Sequence, residues 1–118
     1  MSSQHEDVVS VQAARQAYVR DLLHRYVATP GVHGRVRHAD RELAARLYDQ
    51  RVPLFAVQNA FILAAARRIR HNAYDTPLPP IRSVHYFVPT LREVLERPPG
   101  PRDIAELLRV LGAGEPPL

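Results

Sequence analysis

The residues of this chain best suited to chemistry are arginines in two groups. Arg35 and Arg37 stand in the segment GVHGRVRH, and Arg67, Arg68, Arg70, His71 and Arg82 surround the end of an apolar stretch. A guanidinium offers a planar fork of donors that matches phosphate oxygens. The two glycines beside Arg35 also leave backbone N–H groups open to an anion. If both groups converge on one face, they form a phosphate-binding patch for a nucleic-acid backbone. The competing explanation is plainer: cations in the last turn of a helix complement its dipole and keep its surface solvated. Tyr74, beside the second group, would either stack on an exposed base or pin its loop to the core.

Other chemistry has thinner support. Glu93, Glu96, Asp103 and Glu106 recur at helical spacing, which describes a solvated face better than an acid/base pair. His33 and His38 are the nearest pair among six histidines, but no HExxH or comparable ligand set completes a metal site. Without cysteine, the chain has no disulfide framework, thiolate site or cysteine nucleophile. No phosphate-cradling glycine pattern or nucleophile elbow occurs. The expectation is a protein without catalysis, metal or cofactor.

Charge is unevenly spread. Residues 15–82 carry twelve arginines against Asp21, Asp40, Glu42, Asp49 and Asp75, which leaves +7, whereas from residue 83 onward four arginines meet five acids. All sixteen basic residues are arginine and none is lysine. Two explanations compete for the missing lysine, the suitability of guanidinium for phosphate and a strongly GC-biased coding sequence; the second takes the larger share but does not explain the clustering. Residues 1–7 do not resemble a secretion signal. The longest apolar run, 60–66, is far below the about 20 residues a membrane span needs. The expected setting is the cytoplasm, away from membranes.

These residues must be positioned by helices. With 118 residues and 46% hydrophobic content, one domain with one core is expected over 10–111, between disordered tails at 1–9 and 112–118. Val11, Ala14, Tyr18, Leu22 and Tyr26 recur at helical spacing, and Thr29-Pro30-Gly31 ends that helix. Residues 31–38 read as a loop. A short helix follows to Gln50, with Leu43 and Leu47 inward and Asp40 in its first turn. Pro53 opens a helix to about Arg70 that is apolar nearly all round, hence the buried centre of the domain. A proline-rich connector at 72–80 leads to Ser83, which caps a fourth helix striped with Val84, Phe87, Val88, Leu91 and Leu95. Pro89 would kink this helix or mark its restart. Pro98, Pro99 and Pro101 precede a last helix carrying Ile104, Leu107, Leu108 and Leu111, ended by Gly112. The fold class is all-α: a compact bundle of about five helices around a buried central helix at 53–70, with proline-rich connectors.

Val57, Ala60, Ile62 and Ala64, followed by Ser83, Tyr86, Phe87 and Leu91, resemble the C-terminal helical module of DnaD-type primosome and phage replication-organiser proteins. Val94 stands where that family usually has tryptophan, and Pro89 lies outside its pattern. The chain is also similar in character to small accessory proteins of mobile elements. The resemblance implies a non-catalytic DNA-binding accessory protein for replication, recombination or transposition, with a recombinase, transposase or replication protein as partner. The alternative expectation is a helical adaptor or homodimer that binds no nucleic acid.

Overall fold

Local rules account for most helix boundaries in the computed structural model, which describes residues 2–113, with side chains for 8–112. The helices are α1 (Ser2–Val27), α2 (His38–Asp49), α3 (Leu54–Tyr74), α4 (Val88–Glu96) and α5 (Pro101–Ala113), with a 3-10 turn at Val84–Phe87 before α4. Among the described residues there is no β-strand, only an isolated parallel bridge between Val32 and Ile81. No described helix is long and apolar enough to cross a membrane.

Helix α1 begins eight residues before the expected Ser10, overturning the tail at 2–9. No proline or glycine interrupts the chain before Pro30, so a helix held by packing at its C-terminal half propagates backward at little cost. That extension outruns the body. Val11 and Ala14, expected inward, are exposed, while Leu22, Leu23 and Tyr26 are buried. The molecule measures 61 × 31 × 29 Å, and its radius of gyration of 16.3 Å exceeds the about 13.5 Å of a compact chain this long.

Helix α2 ends in a Schellman motif. Val52 N–H donates to Leu47 O (3.0 Å) and Arg51 N–H to Tyr48 O (2.9 Å), with Arg51 in the left-handed region at φ 60° where glycine is usual. Pro53 is the N-cap of α3, one position before the place expected for it. Helix α3 runs four residues past Arg70, because no breaker precedes Asp75-Thr76-Pro77. The connector then closes locally: Leu78 N–H donates to Asn72 Oδ1 at 3.0 Å and Thr76 N–H to Asp75 Oδ1 at 2.7 Å.

At Pro89 the chain restarts, one of the two expected outcomes. Ser83 Oγ accepts from His85 N–H and caps the 3-10 turn; α4 then starts at Val88, placing Pro89 in the first turn, where its missing N–H leaves no gap. Helix α5 opens with Asp103 Oδ2 accepting Gly100 N–H at 3.0 Å. It carries Gly112 within its last turn, so Gly112 does not end it; residues 114–118 of the expected C-terminal tail lie outside the described residues.

Helix α3 is the centre of the fold, packed against α1, α4, α5 and the 3-10 turn. Its inner face is largely alanine: Ala56, Ala60, Ala64, Ala65 and Ala66 are all buried, so neighbouring helices approach its backbone closely. Bulk comes from a few large residues of α3 and from its neighbours. Phe61 and Phe87 meet edge to face at 4.6 Å between ring centres, and Tyr26 completes the cluster at 6.1 and 6.3 Å.

Candidate functional site

The loop at 31–37 is held in a defined path by three contacts. His33 N–H donates to Ile81 O at 2.9 Å, and Ile81 N–H donates to Gly31 O at 2.8 Å. The third contact is the Asp40 side chain, which is 1% exposed. Its Oδ2 accepts Arg37 N–H at 2.9 Å, while Oδ1 accepts Val84 N–H at 2.9 Å and the Ser83 hydroxyl at 3.2 Å. One carboxylate thus fastens the loop, the first turn of α2 and the turn before α4. Burying a charge is tolerable here because both oxygens are occupied by donors.

These contacts place Arg35, Arg37 and Arg82 on two chain segments that run side by side. All three are exposed, and none forms a side-chain ion pair among the described residues. His38, next to Arg37, is engaged with Glu42 at 2.8 Å.

Gly31 and Gly34 both have positive φ, +95° and +94°. Gly31 is needed twice over, since a Cβ there would sit 2.9 Å from Arg68 Nε. Arg68 is buried at 7% exposure. Its Nη2 donates to Pro79 O at 2.7 Å and its Nη1 to the Tyr86 hydroxyl at 3.2 Å, with the guanidinium 5.4 Å from the Tyr86 ring centre. This arginine ties the proline connector to the turn before α4 and faces no solvent that a ligand would occupy.

The second arginine group therefore does not gather on one side. Two residues along an α-helix turn the side chain by about 200°, so Arg68 and Arg70 point to nearly opposite faces of α3. Arg67 grips Glu93 of α4 through both guanidinium nitrogens, one at 2.7 Å. This hydrogen-bonded pair holds the Glu93 carboxyl below its usual range and raises Arg67. Arg70 is exposed and lines a pocket with Glu93, Arg97 and Pro98, on the α4–α5 side. His71 Nε2 lies 3.1 Å from Thr76 O. Tyr74 is 91% exposed and does not pin its loop. Among the described residues, no three His, Asp or Glu side chains are grouped to hold a metal ion.

Two features of the site escape a linear reading. Asp40 announces its role in the first turn of α2, but its reach to Ser83 has no local signal. Arg68 did have one: Phe61, Ala64, Ala65 and Arg68 fall at i, i+3, i+4 and i+7 on the buried stripe of α3. The residues that carry the DnaD resemblance are mostly core and cap positions, with Val57, Ala60, Ala64, Phe87 and Leu91 buried and Ser83 capping. No protein-family model matches the chain, and no curated protein or solved structure matches it.

Proposed function

We propose that this protein is a non-catalytic nucleic-acid-binding domain, an accessory to DNA replication, recombination or transposition in the cytoplasm, that contacts phosphates through Arg35, Arg37 and Arg82. The observation that carries the reading is the fastening of segments 31–37 and 81–84 by the Val32–Ile81 bridge and the Asp40 carboxylate. Three arginines without ion pairs among the described residues then lie on two adjacent segments whose backbone is already ordered, so that only their side chains need ordering when a phosphate arrives. Arg67 and Arg68 drop out of the site, one held by Glu93 and the other buried; Arg70 and His71 stand apart from it.

The test is fluorescence anisotropy with duplex and single-stranded oligonucleotides in rising salt. Binding to duplex weakens with a slope of about −0.9 per phosphate neutralised. Replacing Arg35, Arg37 and Arg82 together by alanine flattens that slope, while R67A leaves it unchanged. Absent or salt-independent binding removes the reading. The second reading, a helical interaction module, is favoured by the groove between α1 and α2.

A further inference from the structure

We infer that the groove between α1 and α2 is the docking site for an acidic amphipathic helix of another protein. The groove has a volume of about 570 Å³. Val19, Leu23 and Val27 form its floor along α1, with Val36 and Ala45 on the opposite wall. This is the second face of α1, since Leu22 and Tyr26 point into the core. Val27 remains 47% exposed.

Spacing and charge define the occupant. The three floor residues succeed one another every four positions, about 6 Å apart along the axis. That repeat suits a ligand helix presenting apolar anchors at i, i+4 and i+7. Arg20, His24 and Arg41 stand on the rim, and no carboxylate lines the groove. The nearest acid to Arg20 is Asp21, at a loose 3.8 Å on the same helix, and Arg41 and His24 have no ion pair among the described residues. Arg15, at the end of the groove, is already committed to Asp49 at 2.8 Å. The rim therefore calls for negative flanks on the ligand.

The apolar floor separates a peptide from a nucleic acid, whose phosphate backbone has nothing to cover the partly exposed Val19 and Val27. The net charge of +4 weighs against a second copy of this chain. This docking site adjoins the phosphate-binding edge proposed above, since Val36 of its wall stands between Arg35 and Arg37, but none of the three proposed phosphate-binding arginines lines it.

The experiment uses the full chain and a panel of fluorescent peptides of about 18 residues, long enough to hold helix in water. Each carries leucine, isoleucine or phenylalanine anchors at i, i+4, i+7 and i+11 with glutamate flanks. Each also has a lysine-flanked twin and a twin with serine anchors. Acidic peptides bind, and both twins bind about tenfold or more weakly. V27E, at a half-exposed position, lowers affinity by about tenfold without changing thermal unfolding, and R20E/R41E shifts preference toward the lysine twin.

Acidic peptides that bind no better than the serine twins, or that ignore V27E, overturn the inference. So does displacement of the peptide by an oligonucleotide whose own binding is lost in V27E, which makes the groove a nucleic-acid track. A dimer in light scattering that V27E converts to monomer likewise overturns it, in favour of a second copy. Replacing Arg35, Arg37 and Arg82 lowers DNA affinity far more than peptide affinity, so the two proposals fail separately.

Discussion

The Asp40 carboxylate binds the Ser83 hydroxyl at 3.2 Å across 43 positions of sequence, and through the same oxygen it holds Val84 N–H. This contact couples two segments that carry exposed arginines to the hydrophobic core. It makes the candidate site and the stability of the domain depend on one buried side chain.

Asp40→Ala should therefore cost about 2–4 kcal/mol, the range for removing a buried charged acceptor from several donors. Asp40→Asn should recover only part of this, because one amide oxygen replaces two acceptors and an NH2 group meets a backbone donor. Urea denaturation of both variants measures it. A loss below about 0.5 kcal/mol for the alanine variant, the size of an ordinary surface change, would show that the fastening is dispensable.

Gly31→Ala and Gly34→Ala provide a matched pair. Both have nearly the same positive φ, but only at Gly31 does the new Cβ meet Arg68, whereas at Gly34 nothing lies within 4 Å. Each pays the backbone penalty of about 1–2 kcal/mol; Gly31→Ala pays more, by displacing Arg68 from Pro79 and Tyr86. Equal thermal shifts would contradict the packing.

Arg51 permits a prediction of the opposite sign. Its left-handed conformation in the Schellman motif costs about 1–2 kcal/mol for a residue with a Cβ. Glycine removes that penalty but adds about 0.5–1 kcal/mol of unfolded-state entropy. Arg51→Gly should leave a net gain of up to about 1.5 kcal/mol, read as a rise in urea midpoint with an unchanged slope.

The exposed pairs Arg67–Glu93 and Arg15–Asp49 contribute to the acid limb of stability. Hydrogen bonding to arginine holds Glu93 below 4.5 and Asp49 below 3.8. A carboxyl with a depressed folded-state value contributes stability that is complete above its unfolded value and is lost as pH falls through the folded one. Glu93→Gln with Asp49→Asn should lower Tm modestly at pH 7, as expected for exposed pairs, and converge with the parent in acid, so that the fall in Tm below about pH 4.5 is flatter. A double variant with the same acid limb as the parent would assign that limb to other carboxylates.

Tyr18 donates its hydroxyl to Val52 O at 2.8 Å, and burial pushes its ionisation up to about 12 from 10.0. Its folded-state value is raised, so its contribution is complete below pH 10 and is lost as pH rises through about 12. Burial also raises Tyr26, so absorbance titration should show these two tyrosines ionising late. Tyr18→Phe should remove the step near 12, leave that of Tyr26, and cost about 1 kcal/mol.

The sequence revealed what short-range rules control. Proline and glycine set the turn at 29–31 and the restart at Pro89, and the all-round apolar pattern marked α3 as central. Contacts set by tertiary geometry stayed hidden. Asp40 and Ser83 lie too far apart for any periodicity to join them, and the second face of α1 became a groove only when α2 packed beside it. The grouping of Arg67, Arg68, Arg70 and His71 came from adjacency in sequence. The angular step of a helix separates those same side chains, so that one is buried, one is ion-paired and the others lie elsewhere.

The alanine face of α3 leaves the interior little room to change. With Ala60, Ala65 and Ala66 at zero exposure, even valine or serine there must push a whole neighbouring helix aside, whereas a larger side chain can usually be trimmed elsewhere in the core with only local slack. In a saturation scan, the axis of this molecule should tolerate fewer amino-acid types than the ring of bulky residues around it. The smallest side chains would be the most constrained.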